Sequence, residues 1–278
     1  MNIENILARV VIRAKGTFGK DSATHICLGT KNIEGMTIEE KNNRKTLFNS
    51  AYKHYENTKS IRDRLKKKDI SYCHAYFTIN KFKRSLTGNC QERSQYVFHE
   101  LMKFHSFEIF NFYIKKDKNP TYIALCAAPQ PYDHAFIMIH HPTTKQKHPL
   151  RELKTLPPEA WICDPWAEII CKGSQYPDNW KKKMEEWERD SHYVLSTDSS
   201  QLKENTPDKY NTLFSPLREH VLNAISFNYE FRLINVAFID DKGNLYNIVH
   251  NNDKCETVAY NISEMNNMTY AEMNKYYK

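Results

Sequence analysis

Cys90 lies in "LTGNCQERSQYVFHEL" (86–101), among Gly, Asn, Gln and Glu, where a thiol kept for packing would sit among hydrophobes as Cys126 does in "IALCAA". With Asn89 as N-cap, Glu92 falls at N3, the spacing of a capping box, and Cys90 becomes the first helical residue. The unpaired N–H groups and the dipole at a helix N-terminus favour a thiolate, and such surroundings lower a cysteine pKa to about 3.5–7.5. Gly88 permits a close approach by another stretch of backbone. The chemistry these residues suit is nucleophilic attack by sulfur.

A thiolate nucleophile needs an imidazole to share its proton and later protonate the leaving group. "DHAFIMIH" (133–140) supplies His134 at the start of an apolar run that reads as buried on both faces. The imidazole in turn needs an acceptor that sets its tautomer, and "AWICDPW" (160–166) places Asp164 after a short strand that Pro165 ends. Asp133 is a rival acceptor, but neighbouring strand residues point to opposite faces, which favours Asp164. Asp164 before Pro165 also has the form of a simple turn starter. Trp166 either walls the site or packs in the core.

Three elements must position these groups. The helix opening at Cys90 carries Val97, Phe98, Leu101 and Met102 on one stripe, suited to packing on a sheet. Strands are expected at 108–114, 121–127, 134–140 and 160–163. Antiparallel pairing of the last two across the loop 142–159 would bring His134 and Asp164 to one edge of the sheet, and the helix would deliver Cys90 there.

Elsewhere, 37–69 reads as one long helix, broken at most once, with acids early and bases late, as a helix dipole prefers. Residues 177–192 read as a polar, charged stretch and 196–212 as a loop rich in turn formers. A helix at 215–225 precedes a hairpin-like pair, "YEFRLINVAFI" and "NLYNIVH", joined by "DDKG" with Gly243 suited to positive φ. That pair either extends the main sheet or forms a small appendage. The organisation expected is one domain over 1–278, with a core at 71–195, an N-terminal helical region at 1–70 and a C-terminal helix plus hairpin extension at 196–278.

"GNCQE" opening a helix, "DHAFIMI" on a strand and "CDPWA" ending the next, in the order Cys, His, Asp, resemble the papain-like cysteine protease and transglutaminase superfamily. Within it they are most similar to the branch of secreted bacterial effectors that holds YopT-like proteases and glutamine deamidases. The resemblance covers about residues 71–176. It implies an α+β papain-like fold, a central helix bearing the nucleophile on an antiparallel sheet, and extra N-terminal helices. It implies Cys90 as nucleophile, His134 as general base and acid, Asp164 as the orienting residue, and the Cys90 N–H as part of an oxyanion hole. Papain uses a glutamine shortly before its cysteine, whereas "KFKRSLT" (81–87) has none. Asn80, Thr87 and Asn89 are the side chains placed to substitute, and Asn89, Gln91 and Trp166 are candidates for the oxyanion and substrate pocket.

The implied activity is attack on an amide of a protein substrate, as a cysteine protease or glutamine deamidase, with transglutamination from the same acyl-enzyme. Analogy alone adds manufacture in a bacterium and action on a host protein in the host cytosol. The alternative is a catalytically inactive papain-like fold that binds a protein or membrane surface through its basic, aromatic exterior. Such a binder would show an ordinary, slow Cys90 thiol.

The remaining features narrow the field. Of 278 residues, 40% are hydrophobic, enough for a full core, and 17 Tyr and 14 Phe against 7 Gly favour strands and packed layers. The net charge of +7 is spread along the chain, in runs such as "RLKKK" (64–68), and no zinc-finger, RNP or homeodomain pattern turns it into a nucleic-acid signature. Seven cysteines without regular spacing predict reduced thiols in a cytosol-like compartment. Arg9 and Arg13 interrupt the N-terminal apolar stretch, and no apolar run approaches the ~18 residues of a membrane span, so the chain reads as soluble. "HELMKFH" (99–105) lacks two histidines one turn apart, and there is no C-x-x-C, so neither metal nor cofactor is expected. Phosphate-binding glycine loops and the G-x-S-x-G elbow of serine hydrolases are missing too.

Overall fold

The computed structural model describes residues 2–18, 25–27, 37–43, 46, 60, 63, 88–128, 134–143, 155–189, 192–194, 231–251 and 254–261. Ile3, Ile6, Leu7, Val10, Val11, Ala14 and Phe18 recur at helical spacing and form the buried stripe of the first helix, α1 (Ile3–Phe18). The helix expected at Cys90 is α2 (Cys90–Glu100); it widens into a π turn (Leu101–His105) and continues as α3 (Ser106–Tyr113).

The strand expected at 108–114 is therefore a helix. Its aromatic and β-branched residues suit a strand by composition, but Ile109 and Tyr113, four apart, are the pair that is buried. One-face burial at helical spacing, continued from α2, overrides residue preference. Of the helix expected at 37–69, residues 38–43, 46, 60 and 63 are helical, and the rest lies outside the described residues, as does the helix expected at 215–225.

The sheet comprises β2 (Thr121–Ala127), β3 (Ala135–His140), β4 (Trp161–Asp164), β5 (Ile169–Lys172), β7 (Arg232–Ile239), β8 (Asn244–Asn251) and β9 (Lys254–Asn261). Their order is β5-β4-β3-β2-β7-β8-β9, every neighbouring pair antiparallel. The C-terminal hairpin thus extends the main sheet, with Gly243 at φ 78° in its turn. A separate two-stranded ladder pairs β1 (His25–Cys27) with β6 (His192–Val194). The stretch read as polar at 177–192 is largely a helix, α4 (Tyr176–Arg189).

Helices cover both sheet faces, which is why β3 is buried at every position. Ile123, Leu125, Ile137, Ile139 and Cys163 face the cluster built with α1, α2 and α3. Tyr122, Ala124, Cys126, Phe136, Met138 and Ile162 face Tyr176, Trp180, Met184 and Trp187 of α4. The architecture is mixed α+β, with helices packed on an antiparallel sheet that does not close into a barrel.

Alpha1 braces α2 through several contacts. The Phe18 and Tyr96 rings meet edge to face at 5.8 Å, the Arg93 guanidinium lies over Phe18, and Arg13 pairs with Glu100 at 2.9 Å. A Cβ at Gly88 would stand 2.6 Å from the Glu92 Cβ and 2.7 Å from the Phe18 ring, so the nearest neighbours are side chains and not the backbone expected there.

Candidate active site

Beta3 and β4 pair antiparallel with Ile137 opposite Cys163 and Ile139 opposite Trp161, so the start of β3 lies beside the end of β4. His134 immediately precedes β3 and Asp164 ends β4. Their side chains meet, His134 Nε2 to Asp164 Oδ2, at 2.7 Å. Both are buried, His134 at 3% and Asp164 at 0% exposure.

Four donors converge on this carboxylate. Oδ1 accepts the backbone N–H groups of Trp166 and Ala167, each at 3.1 Å. Oδ2 accepts from His134 and from the Tyr176 hydroxyl, the latter at 2.7 Å. Four hydrogen bonds fill the acceptor capacity of an ionised carboxylate, which is how a charge can sit in a core. Asp164 is therefore both a turn starter, through Oδ1, and the imidazole's partner, through Oδ2. The turn it starts includes Glu168 at φ 58°, and Glu168 pairs with Lys15 of α1 at 2.9 Å.

Cys90 approaches from the other helical layer. One turn along α2, Ser94 Oγ donates to the Ala135 carbonyl at 2.9 Å, pinning the helix across the first residue of β3. Residues four apart share a helix face, so Cys90 lies on the same face of α2 as Ser94. It packs in the cluster containing Phe136, Trp166, Tyr176 and Trp180, and it is buried, at 8% exposure. Burial, followed by the charge of Asp164, pushes the Tyr176 hydroxyl well above its ordinary pKa, and Cys90 adds to that push. The sulfur thus shares the neighbourhood of the hydroxyl that touches both His134 and Asp164.

At the helix start, the Asn89 N–H donates to Glu92 Oε2 at 2.8 Å, so Glu92 caps as its spacing suggested. Asn89 is buried, and its Oδ1 has no hydrogen-bond partner among the described residues. Gln91 is half-buried on the first turn. Trp166 is both wall and core: it lies 5.5 Å from the His134 ring, with Trp180 stacked beyond it and Trp187 edge-on. Asn80, Thr87 and Asp133 lie outside the described residues.

Cys126, Cys163 and Cys171 are buried thiols. Burial raises Cys126 and Cys163 far above the ordinary thiol range and Cys171 to about 11, which leaves them protonated and unreactive at neutral pH. Among the described residues, no group of three or more His, Cys, Asp or Glu is arranged to hold a metal, and no helix is long and apolar enough to cross a membrane.

Tyr176 and Trp180 are site residues that the sequence reading passed over. The Trp180 ring lies 4.6 Å from His134, the shortest ring contact the imidazole makes among the described residues. The available signal was the spacing of Tyr176, Trp180, Met184 and Trp187, an apolar stripe at helical intervals hidden among lysines and glutamates.

Protein-family models, curated proteins and solved structures offer no match to this chain.

Proposed function

We propose that the protein is a papain-like thiol hydrolase or acyltransferase acting on an amide bond of a protein substrate, as a cysteine protease or glutamine deamidase. The observation that carries this reading is the buried His134–Asp164 pair at the end of β3, bonded at 2.7 Å. Support also comes from Cys90 at an α2 N-terminus that Ser94 pins across the same strand end.

In this reading Nε2 of His134 is committed to Asp164, and Nδ1 is the nitrogen that exchanges a proton with the thiol. The Cys90 sulfur, favoured as thiolate by the helix N-terminus, attacks the carbonyl carbon. The oxygen gathers negative charge, and the Cys90 N–H is directed to it. The C–N bond breaks as His134 gives its proton to the leaving nitrogen, and a thioester remains. Water resolves it by losing a proton to His134, releasing acid and thiol. A lysine amine resolving the same thioester gives transglutamination.

The test is mass spectrometry of candidate target proteins treated with wild type and with Cys90→Ala. The expected result is cleavage, loss of a glutamine amide, or cross-linking, present with wild type and missing with the variant. A second readout is thiol alkylation resolved by peptide mapping: Cys90 should react with iodoacetamide well below the pH at which ordinary thiols do. Slow labelling with ordinary pH dependence, together with unchanged targets, would replace the enzyme reading with that of a binding module.

A further inference from the structure

The Tyr176 hydroxyl lies 2.7 Å from Asp164 Oδ2 and 3.3 Å from His134 Nε2, closing a triangle with the 2.7 Å His134–Asp164 bond. All three groups are buried, and the triangle stands against the aromatic wall of Trp166 and Trp180. Tyr176 is the first residue of α4, set down on the site by the 3₁₀ turn Gly173–Gln175 that follows β5.

We propose that Tyr176 is a positioning residue of the candidate active site: its hydroxyl shares Asp164 Oδ2 with His134, fixes that carboxylate's rotamer and sets how strongly the carboxylate holds the imidazolium. This rests on the reading of Cys90 and His134 as a proton-sharing pair. Two donors on one oxygen divide its charge, so each bond is weaker than it would be alone. The phenol cannot leave this role by ionising, because burial and the adjacent carboxylate keep it protonated. Besides Tyr176 on α4, the titratable group against the imidazole ring is Asp164 on β4; Cys90 at the start of α2 acts on Tyr176, which touches that ring. Cys171 on β5 acts on it indirectly, through Tyr176 and Asp164.

A tyrosine present only to fill space would be replaced by phenylalanine without consequence for the imidazole. Losing a shared hydrogen bond to a charged group instead leaves Oδ2 wholly to His134 and raises the pH at which the ring gives up its proton, by about one unit. The measurement is a ¹³C-histidine NMR titration of the full chain, with the His134 resonance assigned from His134→Asn. Tyr176→Phe should move the midpoint upward. Replacing Tyr176 by 3-fluorotyrosine keeps shape and hydroxyl but strengthens the donor, and should move it downward; this variant stands in if Tyr176→Phe does not fold. Midpoints unchanged in the folded variants overturn the proposal. Cys90→Ala tests the underlying pair separately: loss of the thiolate should lower the midpoint, and an unchanged value overturns the Cys90–His134 reading whatever Tyr176 does.

Discussion

Beta3 has an imidazole–carboxylate pair at each end, and the two differ in what is done with the second ring nitrogen. At the start of the strand, His134 gives Nε2 to Asp164 at 2.7 Å, and Nδ1 is left out of the bonds to Asp164 and Tyr176. Past its end, His141 gives Nε2 to Asp117 at 2.9 Å, while its Nδ1 is already held by Thr121 Oγ1 at 2.9 Å. The carboxylates differ as well. Asp164 is wholly buried with four donors, whereas the Asp117 side chain is 37% exposed. Tyr113 stacks on His141 at 4.5 Å, completing a clamp that joins the β2–β3 edge to the loop after α3. A histidine–carboxylate contact by itself does not mark a reactive site: a ring with both nitrogens engaged is a strut, and a ring with one to spare can carry protons.

That contrast is broken most forcefully by activity. On a substrate found by the mass-spectrometric screen, His134→Ala should lower turnover by about 10³-fold or more, and His141→Ala should leave it within about threefold. Equal losses from the two variants would erase the distinction. Stability gives the next largest difference. Asp164→Ala orphans four buried donors and should cost about 3–5 kcal/mol in urea unfolding, while Asp117→Ala at its half-exposed site should cost about 1 kcal/mol or less.

Acidification sharpens the comparison at the His141 end. Burial, and secondarily His141, lowers His140 to about 4, and burial lowers His141 despite the opposing pull of Asp117. The unfolded chain takes up these protons near pH 6.5 and the folded chain does so only at lower pH. Stability is therefore present above 6.5 and is lost as pH falls toward the folded values. The loss from His140 at pH 5 is about 2 kcal/mol, and His140→Asn should flatten the dependence of the urea midpoint between pH 7.5 and 5. The smallest effect belongs to Thr121→Val, which releases His141 Nδ1 while keeping the side-chain shape. It should cost about 1 kcal/mol by the same unfolding measurement without touching activity.

The His134–Asp164 contact was legible because antiparallel pairing of two short apolar runs leaves little freedom at their ends. The spacing of Asn89 and Glu92 likewise announced where α2 begins, with Glu92 supplying the capping bond. What was not legible shares one cause, a signal carried by spacing and masked by composition. Residues 108–114 are rich in Phe, Ile and Tyr, so a single helical turn of buried positions was outweighed by strand-forming residue types. Lys181, Lys182, Lys183, Glu185 and Glu186 made α4 read as a solvated stretch, though Tyr176, Trp180, Met184 and Trp187 mark its inner face. Tyr176 was passed over for a further reason: a hydroxyl acting through a carboxylate leaves no motif, because its partner lies twelve residues back and on another element.

The brace between the first helix and α2 bears on any attempt to shorten the protein. Residues 71–176 hold every motif that suggested an enzyme, yet they omit Phe18, whose ring occupies the space a side chain at Gly88 would need, and β7, which hydrogen-bonds along β2. A fragment trimmed to its motifs would keep the candidate catalytic residues and lose packing that surrounds them, so its inertness would say nothing about the intact chain.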